Sequence, residues 1–185
     1  MPARAAVSLL LLLGLAACGE ANLLNPPHSS NAERTSTLWA IRGTPLFQPS
    51  AWSIQFEEPV RLDQNPNFDF AFDIDDAGRA VLLPLGVFGV LQRAGNPGLF
   101  QAARPWDEIL LAEVNGYLIA DTIPVVVGDR LYARSAISIS CFSRYPLYAK
   151  LEVQAIDAEQ RTLTFRILSN LNCGYKGLEP GFPSK

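Results

Sequence analysis

The chain contains little of the chemistry on which most catalytic and metal sites depend. Its 185 residues include one His and three Cys, and only 18% are Asp, Glu, Lys or Arg. That supply is too small for most zinc sites and for catalytic triads that use His as the base. Fifteen Lys and Arg against eighteen Asp and Glu give a formal net charge of −3, so the electrostatic basis for binding nucleic acid is missing. We expect no cofactor, no metal and no nucleic-acid partner.

What is present indicates a single folded domain. Hydrophobic residues make up 49% of the chain and aromatic residues 10%, which excludes a disordered or fibrous protein. A length of 185 residues is typical of one domain.

Residues 1–17 have the pattern of a secretory signal peptide. Arg4 is the only charged residue before Glu20, and the run from Ala5 to Ala17 is almost wholly apolar. As a helix this run reaches about 20 Å, short of the ~30 Å hydrocarbon core of a bilayer. A basic start, a short apolar middle and small residues at the end are typical of a signal peptide. A buried helix of the mature domain is the alternative.

The signal ends in Leu15-Ala16-Ala17-Cys18, which resembles the lipobox of bacterial lipoproteins. The resemblance implies cleavage before Cys18, a lipid on its sulfur and an acyl chain such as palmitate on the new amine. Several acyl chains, at about 0.8 kcal/mol per buried CH₂, hold a soluble domain on a membrane. In lipoproteins of enterobacteria an Asp after the Cys favours the inner membrane, so Gly19 implies the outer membrane if the organism has one. We therefore expect a lipid-anchored domain of the cell envelope, outside the cytoplasm.

The two remaining cysteines, Cys141 and Cys173, are predicted to form a disulfide. Disulfides persist outside the cytoplasm, and two cysteines remain once Cys18 carries the lipid. The closed loop would stabilise the fold by roughly 3–4 kcal/mol on the chain-entropy model. A reactive thiol pair is the alternative, but such pairs usually have the spacing Cys-x-x-Cys.

The mature chain divides into a tether, one domain and a tail. Asn, Pro, Ser, Thr and charged residues dominate the region up to Thr37, so residues 18–37 are predicted to be a lipidated N-terminus and flexible tether. His28 falls in this region and is interpreted as a solvated linker residue. The globular domain is expected at 38–178 and the C-terminal tail at 179–185.

Two β-hairpins are predicted within the domain. From Phe68 to Ile74 large apolar residues alternate with Asp69, Ala71 and Asp73, which is the period of a half-buried strand. The turn 75–78, which ends in Gly, leads into a partner strand at 79–83. The second hairpin joins 151–156 to 161–168.

The region between the two hairpins is less regular. Residues 123–127 are expected to turn at Gly128 into a strand at 131–135, and residues 92–104 are expected to be a loop. Residues 105–122 are ambiguous, because Pro105 with early acidic residues suits a short helix whereas Asn115-Gly116 suits a hairpin turn. We favour the hairpin. The fold class is predicted to be all-β, a mainly antiparallel sandwich or partly closed barrel with at most one or two short helices.

The carboxylates of the chain suggest two kinds of site, a calcium site and a hydrolytic pair, besides their role in turns. Asp73-x-Asp75-x-Ala77-Gly78 resembles the first half of a calcium-binding EF-hand loop, but Ala77 and Pro84 replace oxygen ligands. Turn formation and a polar outer strand face explain these residues without a metal. General acid–base hydrolysis would need two carboxylates at a fixed separation. The candidates for such a pair are Glu57, Glu58, Asp63 and Asp69.

Aromatic residues are the stronger candidates for a binding site. Exposed Trp and Tyr on extracellular β domains can bind sugars or apolar ligands, although most aromatic side chains in a domain of this size form the core. Trp106 and Phe100, in the predicted loop region with Arg104, are the least explained by strand packing. The candidate ligand-binding residues are Trp52, Phe100, Arg104, Trp106 and Tyr148.

Two stretches resemble HmuY-type haem-scavenging lipoproteins. Trp52–Phe56 with Val60–Leu62, followed by Phe68–Ile74, is similar to the opening of that family, and Tyr148–Val153 with Thr162–Phe165 is similar to its closing hairpin. The resemblance implies a β-rich surface domain that binds a ligand or partner without catalysis. That family holds haem through a pair of histidines, so haem capture by this mechanism is not expected here.

We therefore expect a non-enzymatic envelope lipoprotein that presents a binding surface to a small apolar or sugar ligand or to an envelope protein. The alternatives are a carboxylate-based hydrolase acting on envelope polysaccharide and a purely structural or accessory lipoprotein.

Overall fold

The computed structural model describes residues 24–90, 95–142 and 145–184. The predicted signal peptide, 1–17, and the predicted lipidation site, Cys18, lie outside the described residues. Within the described residues ten strands form two antiparallel sheets of five strands each, and the helical segments are three short 3₁₀ turns. The all-β prediction is confirmed, in its sandwich form. Among the described residues no helical segment has the length and hydropathy of a membrane span.

The larger sheet has long strands and begins with the N-terminal one. Its spatial order is β1 (Glu33–Trp39), β10 (Thr162–Asn170), β9 (Pro146–Asp157), β8 (Arg130–Ile137) and β6 (Gly98–Ala102). The smaller sheet has short strands. Its order is β3 (Glu58–Val60), β2 (Ala51–Ser53), β4 (Phe70–Ile74), β5 (Ala80–Pro84) and β7 (Ile123–Pro124).

The core forms where the apolar faces of the two sheets meet. Alternate residues of β4, such as Phe70 and Phe72, pack against Phe165 of β10 and against Trp52 of β2, all at 1% exposure or less. The rings of Trp52 and Phe70 meet that of Phe165 edge-on, with centroids 5.4 and 6.0 Å apart. Edge-to-face contacts of this kind add to the large apolar area that each ring buries.

The opposite face of each sheet is also covered. On the smaller sheet Ala71, Val81 and Leu83 form a cluster with Phe68 and Leu85. On the larger sheet the segment 103–118 lies over Tyr132 and Tyr148. The predicted half-buried strand at 68–74 is therefore buried on both faces, and all five residues of β4 are buried. The prediction that Asp69 and Asp73 lie on a polar outer face of this strand is wrong, because both residues are buried.

Both predicted hairpins are present. β4 pairs with β5 from Phe70↔Pro84 to Ile74↔Ala80, and β9 pairs with β10 from Asp157↔Thr162 to Tyr148↔Asn170. The turns between them are those expected, at residues 75–79 and 157–161.

The region between the hairpins differs from the prediction. β6 lies in the predicted loop 92–104, because residues 98–102 pair with β8. Of the first range only residues 123–124 form a strand, which belongs to the smaller sheet, whereas 131–135 belong to the larger one, so the chain crosses between the sheets around Gly128. In place of the favoured hairpin at 105–122 there is a 3₁₀ turn, Trp106–Glu108, and single bridges from Leu118 to β6 and from Leu111 to Gly177. The side chains of this segment pack onto the larger sheet, which overrides the Asn-Gly turn signal.

The structure places much of the predicted tether and tail against the domain. β1 begins at Glu33 and pairs along its whole length with β10. Asn31 forms a bridge with Gly181, and the N–H groups of His28 and Ser29 donate to Oδ1 of Asn172, at 2.7 and 2.9 Å. Polar composition was misleading here, because buried Asn side chains satisfy the backbone of these segments.

Candidate functional site

Three of the predicted binding aromatics lie together, but in a packed cluster. Trp106 and Tyr148 are buried, and half-buried Phe100 stacks on Tyr132 with centroids 5.8 Å apart. Trp52 lies apart from them in the core between the sheets, at 1% exposure. Arg104 is exposed beside the cluster. The structure therefore separates Trp52 from the other four predicted residues.

Two cationic side chains lie close to the ring of Trp106. Lys150 Nζ lies 4.5 Å from the ring centroid and Arg166 Cζ lies 4.2 Å from it, and the indole N–H donates to Glu33 at 2.9 Å. Lys150 Nζ also donates to the carbonyls of Trp106 and Ile109, at 3.0 and 3.1 Å. Burial lowers the pKa of Lys150. These contacts fix the covering segment on the sheet, where Trp106 is buried at 3% exposure.

The predicted disulfide between Cys141 and Cys173 is confirmed, with Cα atoms 5.3 Å apart. It joins the 3₁₀ turn that follows β8 to the chain that leaves β10. It thereby marks one end of the sandwich, which we call the disulfide end. The opposite end, which carries the turns 75–79 and 157–161, is called the hairpin end.

At the hairpin end the carboxylates are bound by arginines and backbone N–H groups. Asp73 accepts from Arg42 Nε at 2.6 Å and from the N–H of Ile74, and Asp76 pairs with the same guanidinium. Asp75 accepts from the backbone N–H and the side chain of Arg79, both at 2.8 Å. These bonds, led by the Arg79 backbone N–H, lower the pKa of Asp75. The carboxylate groups of Asp73, Asp75 and Asp76, which a calcium ion would need as ligands, thus already bind arginines or backbone N–H groups.

The disulfide end holds a carboxylate of a different kind. Asp69 is 7% exposed, and its oxygens accept backbone N–H groups from Ile54 at 2.7 Å and Ala136 at 3.3 Å. Since Ile54 follows β2 and Ala136 belongs to β8, this one side chain links the two sheets. None of the ion pairs among the described residues includes Asp69. Burial raises its pKa to about 7, against the lowering effect of the two N–H donors.

Asp69 lines a cavity of about 270 Å³. Most of the other lining groups are hydroxyls, amides and aromatic rings: Ser53, Gln55, Phe56, Asn67, Phe68, Ser135, Ala136, Ile137 and Ser138. Phe56, one of the lining residues, is 55% exposed to solvent. A buried carboxylate with a shifted pKa in a cleft of polar groups is a candidate site for function.

A second cavity of about 330 Å³ adjoins the disulfide. Its lining residues are Leu24, Asn25, Pro26, His28, Ser140, Cys141, Phe142, Tyr145, Asn172 and Cys173. Gln55 lies between the two cavities, because its amide donates to Ser140 Oγ and its oxygen accepts from Ser138 Oγ, each at 3.2 Å. The disulfide end therefore carries two neighbouring clefts, with His28 in the second.

The sequence marks Asp69 as one of four candidate carboxylates for hydrolysis and as a member of the acidic cluster Asp69, Asp73, Asp75 and Asp76, which was expected on turns and a polar outer strand face. The burial of Asp69 depends on which loops cover the end of β4, and no local pattern encodes that. No sequence pattern marked three of the polar lining residues, Ser135, Ser138 and Gln55, as candidates for a site, because single polar residues near strand ends are common. The structure brings Gln55, which follows β2 of the smaller sheet, to Ser138, which follows β8 of the larger sheet, and Ser138 Oγ donates to the Gln55 oxygen at 3.2 Å.

Comparison of the chain with protein-family profiles, with curated proteins and with solved structures finds no match. The resemblance to HmuY-type lipoproteins stays a prediction from the sequence.

Proposed function

We propose that this protein is a lipid-anchored domain of the cell envelope that binds a small polar ligand, without catalysis, in the cavity lined by Asp69. The lipobox-like end of the signal supports the anchor, and the disulfide suits a compartment outside the cytoplasm. The observation that carries the binding site is a buried carboxylate that faces a polar cavity without a cation partner among the described residues.

The lining of the cavity specifies the kind of ligand. A cationic or hydroxyl donor on the ligand would satisfy the remaining acceptor capacity of Asp69, and the surrounding Ser, Gln and Asn groups suit several hydroxyls. Phe56 and Phe68 offer apolar surface to the carbon face of a sugar. A volume of about 270 Å³ is at the small end of ligand cavities, which fits a monosaccharide. An amino sugar combines all of these features.

Binding is favoured over hydrolysis by the number of carboxylates. Glycoside hydrolysis in its usual form needs two carboxyl groups that flank the scissile bond. Among the described residues the lining of this cavity contributes one, Asp69. Of the other three candidates, Glu57 pairs with Arg34 and Asp63 pairs with Arg61.

Calorimetry with glucosamine and glucose tests the binding site. We expect full-length protein to bind glucosamine at least about tenfold more tightly than glucose, a difference of about 1.4 kcal/mol, because only the amino sugar offers an ammonium group to Asp69. Asp69→Asn removes that preference. Asp76→Asn, the same chemical change at the exposed hairpin end, leaves it intact. Equal affinities in the wild type, or no binding of either sugar at roughly 10 mM, would overturn the proposed ligand class.

Membrane fractionation tests the anchor independently. Wild-type protein is expected in the membrane fraction, with the mass of a chain that begins at Cys18 and carries acyl groups. Cys18→Ala is expected to leave a soluble or unprocessed protein. A wild-type chain whose mass shows no lipid would contradict the anchor and leave the calorimetric result standing.

A further inference from the structure

We propose that the disulfide end of the sandwich lies on the membrane surface, with Phe142 in the headgroup region of the bilayer. The inference rests on the proposed lipid anchor at Cys18. The occupant of this surface is a phospholipid bilayer, and the argument comes from where the chain leaves the domain and from which side chains stand exposed there.

The described chain begins at the disulfide end. Leu24 packs against Gly174, with its Cδ2 2.5 Å from the point where a Cβ on Gly174 would stand. Tyr175 donates its hydroxyl to the carbonyl of Asn25 at 3.1 Å, and Asn172 holds the N–H groups of His28 and Ser29. The N-terminal segment is thus fixed beside Cys173, next to the disulfide.

The distance from this point to the proposed anchor is short. Cys18 precedes Leu24 by six residues, which span at most about 20 Å when fully extended. The twelve residues of β9 alone extend over about 40 Å. Because the connection is shorter than the sandwich, the disulfide end stays within about 20 Å of the anchor, whereas the connection sets no such limit on the hairpin end.

Exposed aromatic side chains are present at this end. Phe142 follows Cys141 directly and is 78% exposed, and Tyr145 and Phe56 are 41% and 55% exposed. Phe142 also has a positive φ of 53°, a backbone conformation that is strained for a bulky residue. The disulfide at Cys141 ties down the turn that presents this ring. Aromatic rings favour the interface between headgroups and acyl chains.

The hairpin end provides a matched control. Phe47 is 61% exposed there, in the turn that follows β1, whose last residue pairs with Thr162 at the start of β10. Ionic groups surround this end, including the Arg42–Asp76 and Arg79–Asp75 pairs. Exposure of a Phe is therefore similar at the two ends, while the distance to Cys18 differs.

Tryptophan quenching in vesicles tests the inference. Full-length protein with Phe142→Trp or with Phe47→Trp is placed in phosphatidylethanolamine–phosphatidylglycerol vesicles whose acyl chains are brominated, and the wild-type signal of the three native Trp residues is subtracted. We expect the added fluorescence at position 142 to be quenched at least twofold more than that at 47. Equal quenching, or stronger quenching at 47, would overturn the orientation. Protein that does not float with the vesicles would contradict the lipid anchor, and the inference would fall with it.

Discussion

At the hairpin end the buried carboxylate of Asp73 lies 2.6 Å from a nitrogen of Arg42, whereas at the disulfide end the buried carboxylate of Asp69 receives backbone N–H groups and no cation from the described residues. The first arrangement neutralises its charge within the domain. The second leaves a charge that is costly to hold and that an incoming cation can neutralise. The carboxylates of the hairpin end therefore stabilise the turns, while Asp69 at the disulfide end is the group to which we assign the proposed ligand.

The largest effect is expected from the disulfide. Replacement of both Cys141 and Cys173 by Ala should lower the free energy of unfolding by roughly 3–4 kcal/mol, because the bridge closes a sequence separation of 32 residues. Urea denaturation without reductant measures the loss. Replacement of both Asp75 and Arg79 by Ala, an exposed pair at the hairpin end, should cost far less. Similar losses in the two variants would contradict the contrast between the ends.

The next effect is a pH dependence that comes from Asp69. The folded protein raises the pKa of this acid from 3.8 to about 7, so between those values the folded state holds a proton that the unfolded chain releases. Stability from this group is therefore complete below about pH 4 and is lost as the pH rises through 7. We expect the unfolding free energy of the wild type to fall by about 3 kcal/mol relative to Asp69→Asn between pH 4 and pH 7, where the folded group is half ionised. A constant difference between the two proteins would show that the pKa is not raised.

The smallest effect is expected from Asp75, whose contribution to stability depends on pH in the opposite direction to that of Asp69. Hydrogen bonds from Arg79 lower the pKa of Asp75, so its stabilising contribution is present at neutral pH and is lost as the pH falls through the lowered value. Melting temperatures of the wild type and Asp75→Ala should differ slightly at pH 6 and converge in strong acid. If the two melting temperatures converged toward neutral pH instead, the pKa of Asp75 would not be lowered in the folded protein.

The same contrast separates what the sequence could predict from what it could not. The hairpins at 70–84 and 146–170 follow from local alternation and from turn residues such as Gly78, and the structure confirms both. The disulfide followed from counting the cysteines. The hairpins depend on neighbours in the chain, so a single sequence contains the information that predicts them.

The disulfide end depends on contacts between distant residues. Asp69 accepts from Ala136, which is 67 residues away in the chain, and Gln55 donates to Ser140, which is 85 residues away. No local sequence pattern predicts either contact. The burial of Trp106 also depends on distant residues, because the side chains of Lys150 and Arg166 pack against its ring. Those cations come from β9 and β10, which lie more than forty residues away in the chain.

Hydrogen–deuterium exchange of the full-length protein, with and without glucosamine, tests most directly that the disulfide end holds the ligand. The N–H groups of Ile54 and Ala136 donate to Asp69, so binding there should slow exchange in peptides that cover 53–56, 67–70 and 135–138. Peptides that cover the hairpin turns at 75–79 and 157–161 should be unchanged. Protection at the hairpin turns, or unchanged exchange around Asp69 under saturating sugar, would contradict the account.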